Sequence, residues 1–220
     1  LNFAVKLARL HNQSYGFTDL VKYVCELISS DAVALLLLQD EILKPVAIHG
    51  LSKDTLGRRF AISQHPRLEA ICDAQQPIKF AKDCELPDPY DGLLSAKPGD
   101  IPVHACLGLP LFSHTSEHQL LAVLTLDSLD ENAFDTLTIE KLNIFAQLCA
   151  AHVENSLTLQ QYQYNAKHQQ DVAQQLNLES ITKQGIEIIG NSQAMQTLKN
   201  DIQLVAASEF SVLIQGDTGV

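Results

Sequence analysis

The chain has 220 residues, a formal net charge of -11, 46% hydrophobic and 19% charged residues, and a sequence pI of about 5.0. That composition belongs to a globular protein able to build one good core plus further elements. Its acidic balance excludes a broad basic surface for nucleic acid within these residues, and no apolar run reaches the ~18 residues of a membrane-crossing helix.

The chain opens on Leu1 rather than Met, so a piece of a longer protein is expected, and no secretory signal is visible. Five cysteines, Cys25, Cys72, Cys84, Cys106 and Cys149, are odd in number, widely spaced and without a CxxC pair. Reduced thiols in a cytoplasmic protein are the expectation. Apolar positions recur at helical spacing from Phe3 to Leu10 and again from Phe17 to Ile28, with Thr18 as the expected N-cap of the second helix. Residues 32–38 read as a buried strand, 39–41 as a turn, and Leu43–Ile48 as a returning strand ended by Gly50. Pro66 suits the first position of a short helix over Arg67–Ala74. Pro77–Phe80 reads as a short strand, and residues 81–102 as a long loop rich in Asp, Pro and Gly. A loop of that length in a compact domain is usually functional or disordered.

Two apolar runs, Val103–Phe112 and Leu120–Leu126, flank the polar stretch Ser113–Gln119 and predict a β-hairpin. His104 and Cys106 are two apart and share a face. With the turn centred near Ser116, paired residues sum to about 232, so Cys106 faces Leu126 and Asp127 lies one position away. Upstream, Pro87-Asp88-Pro89-Tyr90-Asp91-Gly92 places two more carboxylates on a Pro-stiffened turn. Three carboxylates, a thiol and an imidazole at one sheet end suggest a metal site. Each residue alone also has a plain structural reading: an Asp after a strand is commonly a cap, and a Cys in an apolar strand is commonly core.

After a polar connection at 130–135, Thr136 or Thr138 can cap a helix starting near Ile139, with Leu142, Phe145, Leu148, Cys149 and His152 on one face, followed by Leu157 and Leu159. From Gln160 to Gln175 the sequence is Gln-rich and polar, a stalk that pairs with a partner or a linker; Leu178–Gln184 is expected to be flexible. A second unit begins near Ile186. Ser192 can cap a helix through Met195, Leu198, Ile202 and Val205, and Ser211–Ile214 reads as a strand. Gly216, Asp217, Thr218 and Gly219 then form the front half of a phosphate-binding loop, whose Lys and hydroxyl residues lie beyond Val220. No complete nucleotide site and no ATPase activity are expected of the chain itself.

The fold class expected is α+β, a central antiparallel sheet flanked by helices, and residues 1–155 resemble a GAF sensory domain. The expected division is 1–155 for that domain, 156–184 for a helical or flexible linker, and 185–220 for the truncated edge of an AAA+ α/β domain. Residues 188–195 with 212–219 resemble the opening of the AAA+ domain of sigma-54-dependent activators. Residues 57–61, 65–71, 85–93, 103–106 and 108–112 resemble the nitric-oxide-responsive activators of the NorR type, over essentially the whole chain.

That resemblance implies one mononuclear non-haem Fe(II) in the GAF domain. It also implies that nitric oxide lifts repression of the neighbouring ATPase, which uses ATP and Mg in the longer protein to remodel sigma-54 RNA polymerase, while a C-terminal segment binds enhancer DNA. Its iron ligands fall here on Asp88, Asp91, Cys106 and Asp127; Arg67 is a displaceable partner, and His104 lies in the same motif. A guanidinium is a poor metal donor, so a structural salt bridge is the other reading of Arg67. The family's prototype carries a basic residue where this chain has Asp73, a position that touches the ATPase domain.

Donor chemistry agrees with the resemblance. Carboxylates with one thiolate suit Fe(II) better than a closed zinc site. Two other functions fit a GAF domain: binding an organic small ligand, which the acids disfavour if it is anionic, and thiol redox sensing through Cys106, for which nearby acids raise the thiol pKa. A homodimer through residues 138–165 and 2–12 is expected, with no membrane partner.

Overall fold

The computed structural model describes residues 16–81, 83–94, 105–116, 119–184, 188–209, 211–213 and 215–216. The expected first helix, His104, and Asp217, Thr218 and Gly219 lie outside these residues. Two compact units divide at Gln163/Tyr164.

In the first unit α1 (Phe17–Ile28) leads to β1 (Ala32–Gln39) and β2 (Ile42–His49). Then come a 3-10 turn (Lys53–Gly57), β3 (Phe60–Ala61), a second 3-10 turn (Ile62–Gln64), α2 (Pro66–Asp73) and β4 (Ile78–Phe80). The hairpin β5 (Ala105–Phe112) and β6 (Leu120–Ser128) follows, and then α3 (Ile139–Gln184), of which residues 139–163 belong to this unit. The six strands form one sheet in the order β3-β2-β1-β6-β5-β4, with every described pairing antiparallel.

Alternation along each strand sends side chains to two faces. One face carries Val33, Leu35, Leu107, Leu109, Leu124 and Leu126 against Leu20, Val21 and Val24 of α1 and Leu142, Phe145, Cys149 and Val153 of α3. Full burial of each such Leu or Val contributes about 1.5–3 kcal/mol. The other face carries Ala34, Leu36, Cys106 and Val123 against Leu68 and Ile71 of α2, with Tyr90 and Leu93 from the loop. A Cβ on Gly108 would stand 2.3 Å from the Ile71 side chain, so the missing side chain is what lets α2 lie this close to β5.

Several expectations change. Helix α1 starts at Phe17 with Gly16 at its N-cap and no side-chain cap; Thr18 already lies inside the first turn. The hairpin sum of 232 holds at Phe112↔Leu120, but a bulge between Leu111 and Phe112 shifts it by one, so Cys106 pairs directly with Asp127. Helix α3 begins where Thr138 Oγ1 accepts from Lys141 N and runs unbroken through 46 residues to Gln184, about 69 Å at 1.5 Å per residue; the expected flexible stretch at its end is helical.

In the second unit Ser192 Oγ accepts from Met195 N, capping α4 (Gln193–Ala206). Residues 211–213 are not a strand. A strand needs a hydrogen-bonding neighbour, and no described strand pairs with them.

Candidate metal centre

Three elements deliver the predicted residues to the sheet face opposite α1 and α3. Cys106 near the start of β5 and Asp127 near the end of β6 are register partners, and Asp127 also pairs with Ala32 of β1. Cys106 lies between β4 and β6, paired on its other side with Phe80. Asp127 is wholly buried and Cys106 is 3% exposed.

Helix α2 brings Arg67, almost buried in the first turn. Its Nη2 donates to Leu86 O at 2.6 Å, Nη1 lies 3.4 Å from Asp88 Oδ2, and the guanidinium sits over the Phe80 ring at 5.5 Å. Among the described residues Asp88 is the one acid ion-paired with it.

The third element is the segment 83–94. Asp88 Oδ1 accepts from Tyr90 N at 2.8 Å, a local turn of the kind Asp favours. A bridge between Leu51 and Leu94 and the bond from Ser52 N to Leu93 O, 2.7 Å, tie the segment to the stretch that follows β2. Tyr90 is its anchor: the ring is buried, packs edge-on against Phe60 at 5.8 Å, and its Oη accepts from Thr125 Oγ1 at 3.0 Å. Residue typing gave no role to Tyr90 or Thr125. An aromatic between two acids in a Pro-rich loop is the signal that could have found the first; Thr125, the polar interruption of an apolar strand, was legible only as its partner.

The electrostatics are those of acids crowded in a dry place. Burial, then Asp88, pushes the Asp127 carboxyl up to about 7. Burial and the Asp127 charge push the Cys106 thiol well above its usual range. Asp88 is raised by burial, against which the Tyr90 N–H and Arg67 pull down. Among the described residues neither Asp127 oxygen has an N–H or O–H partner; Asp88, the Cys106 thiol and Arg67 are the groups that act on it.

The structure therefore brings together Arg67, Asp88, Cys106 and Asp127. Asp91 is exposed on the turn, its N–H directed to Asp88 O at 3.4 Å. Among the described residues no three His, Cys, Asp or Glu side chains already stand in metal-holding geometry; the positive charge nearest Asp88 is that of Arg67. A buried carboxylate with two unpartnered oxygens beside a buried thiol nevertheless fits a cation, and hard oxygens with one soft sulfur fit Fe(II) by type. Asp73 is exposed at the end of α2. Gly216 is exposed and outside any strand.

Comparison with known proteins bears on this geometry. Residues 17–153 match the model of the GAF domain. The chain is 46% identical over 220 residues to the regulatory protein LuxO of Vibrio cholerae, covering 100% of this chain and 41% of that protein. It is 42% identical over 205 residues to the anaerobic nitric oxide reductase transcription regulator NorR of Vibrio vulnificus, covering 93% and 38%. The chain thus spans about two fifths of the length of these curated relatives. Among solved structures, the GAF domain of a phosphoenolpyruvate-protein phosphotransferase from Coxiella burnetii superposes with a TM-score of 0.55 at 19% identity, over 71% of this chain and 94% of that one. With the family match covering residues 17–153, more than half of the chain, the chain belongs to the GAF domain family.

Proposed function

We propose that this chain is the regulatory part of a nitric-oxide-responsive, sigma-54-dependent transcription activator, and that Asp88, Asp91, Cys106 and Asp127 hold a mononuclear non-haem Fe(II). The observation that carries the reading is Asp127, buried, without an N–H or O–H partner among the described residues, and paired in register with Cys106. Bound there, ferrous iron supplies an electron-rich atom to which a small neutral gas can bond. A dication would also reverse the proton balance: Asp127 would lose the proton that burial favours, and Cys106 Sγ would give up its own. Arg67 would then exchange its ion pair with Asp88 for a place beside the loaded site.

The same raised thiol pKa disfavours a redox sensor through Cys106, which would need an electropositive setting. Residues 185–220 are read as the start of an AAA+ domain, without ATPase activity of their own. In the longer, cytoplasmic protein the GAF domain would hold that ATPase off, and α3 would pair with a second copy through its exposed Leu159, Tyr162 and Leu176. Deletion of residues 1–155 from the longer protein, and sedimentation of the chain, test those two parts; a silent deletion mutant or a monomer at tens of micromolar would overturn them.

The site is tested by anaerobic reconstitution with Fe(II), metal analysis, and electron paramagnetic resonance after nitric oxide. Wild type should hold about one iron and give a half-integer-spin signal, while Cys106→Ser, Asp91→Ala and Asp127→Ala lose iron or alter the signal. If all three variants matched wild type, the site would lie elsewhere.

A further inference from the structure

Tyr90 carries a hydroxyl into a part of the core where packing asks for none. Its residue is 1% exposed, its ring meets Phe60 edge-on, and it shares its cluster with Ala34, Leu36, Leu68, Leu93 and Val123. A Phe would fill the same place. Thr125, also 1% exposed, interrupts an otherwise apolar run of β6 where a Val would pack. A buried hydroxyl costs free energy unless it is bonded, and these two satisfy each other only in part. Thr125 Oγ1 donates to Tyr90 Oη at 3.0 Å, so the phenol accepts with a lone pair and keeps its own proton to give. Among the described residues that O–H has no acceptor.

The strand fixes where the unspent proton lies. Thr125 and Asp127 are two apart on β6, so their side chains leave one face, about 7 Å from each other along the strand. Their partners across the hairpin are Gly108, which has no side chain, and Cys106. Burial holds the proton on the phenol, and the ionisable groups whose charge bears on it are Asp127, Cys106 and Asp88. A donor without an acceptor thus stands near an acceptor without a donor, on the face that carries the candidate site. The two do not bond each other; the strand spacing sets them about one small ligand apart.

We propose that Tyr90 donates a hydrogen bond to the outer atom of the small molecule held at the Cys106–Asp127 pair, and that Thr125 aims it. The proposal rests on the reading of that pair as part of an iron site for nitric oxide. A gas bonded to an electron-rich metal gains negative charge on its outer atom, and a donor in a dry surrounding meets that charge at full strength. The bond prolongs the stay of the gas and adds nothing to the affinity for iron, because Tyr90 is not among the ligands.

The test compares wild type, Tyr90→Phe and Thr125→Val after anaerobic loading with Fe(II) and nitric oxide. Release is followed by decay of the electron paramagnetic resonance signal once a haem scavenger is added, and the N–O stretch by infrared absorption in H2O and D2O. Tyr90→Phe keeps the ring against Phe60 and removes only the O–H. It should hold as much iron as wild type and release the gas about tenfold faster, the worth of about one hydrogen bond. Its N–O stretch should rise and lose the sensitivity to D2O that wild type shows, a change that packing alone does not produce. Thr125→Val leaves the phenol in place without its guide and should fall between the two. Wild-type release and an unchanged stretch in Tyr90→Phe would overturn the proposal while leaving the metal site intact. Should Tyr90→Phe lose its iron, Thr125→Val decides, and release and D2O sensitivity equal to wild type would overturn it. A wild type that takes up no iron would overturn both readings.

Discussion

Replacing Asp127 by Asn in the metal-free protein should remove a pH dependence of stability that the wild type carries. The folded carboxyl titrates at about 7 instead of 3.8, so between these values the folded state binds more protons than the unfolded one. Stability therefore falls as pH rises from about 4 to about 7 and is flat beyond. From pH 5 to pH 8 the fall covers two pH units, at about 1.4 kcal/mol each, or about 3 kcal/mol. Asn keeps the shape and leaves a buried amide unpaired, a cost alike at both pH values, so the difference between pH 5 and pH 8 isolates the charge. Urea unfolding at the two pH values measures it: with a slope of ~2 kcal/mol/M, the wild-type midpoint should fall about 1.5 M further than that of the variant. A wild type and Asp127→Asn with the same change from pH 5 to pH 8 would refute the claim that this carboxylate is buried without a partner.

Two further outcomes follow from packing. Glu154 of α3 accepts from Ser113 Oγ at 2.6 Å, His114 N at 2.9 Å and Thr115 Oγ1, and these bonds hold its carboxyl down to about 2. Glu154→Ala should cost about 1 kcal/mol, discounted for solvent at this rim; because the folded pKa is depressed from 4.5, the contribution is full above about pH 4.5 and disappears as pH falls toward 2, so equal stability of variant and wild type at pH 7 would count against the clamp. Gly108→Ala should lower stability by about 1–3 kcal/mol, since the added methyl meets Ile71 at 2.3 Å; an unchanged thermal midpoint and unchanged amide shifts in α2 would show that helix to be more loosely seated than the packing implies.

Much of the site was legible because its carriers have strong local signals. Alternating apolar runs marked β5 and β6, and Pro66 marked α2, so Cys106, Asp127 and Arg67 could be placed on elements. The exact facing of Cys106 and Asp127 was not legible, because the bulge between Leu111 and Phe112 has no residue signature in this hairpin and a single extra residue moves every partner beyond it. The burial of Tyr90 against Phe60 and Thr125 was hidden for a different reason: it joins segments about 30 residues apart in sequence that nothing local connects. Of the strand expected at 211–214, the described part, 211–213, is not a strand, because apolar composition alone supplies no neighbour to bond.

The placement of Asp127 bears on how a ligand there could act at a distance. Coupling needs two states whose free energies the ligand separates, and a physical connection between site and output. The connection here is short. One residue after Asp127, Ser128 Oγ donates to Asp31 Oδ2 at 3.0 Å, and Leu129 N donates to the same oxygen at 2.8 Å, fixing the exit of β6 against the entry to β1. The turn beyond is held by Lys79, whose strand lies beside Cys106, through Phe134 O and Leu137 O at the foot of α3. At the other end of the hairpin Glu154 ties Ser113–Thr115 to the same helix. The hairpin that carries Cys106 and Asp127 is thus bound to α3 directly at its turn through Glu154, and at its other end β4, beside Cys106, is bound through Lys79 to the turn that leads into α3. Packed interiors shift between discrete arrangements instead of deforming smoothly, so a change in the charge held between those strands is met by a helix that is already fastened to them.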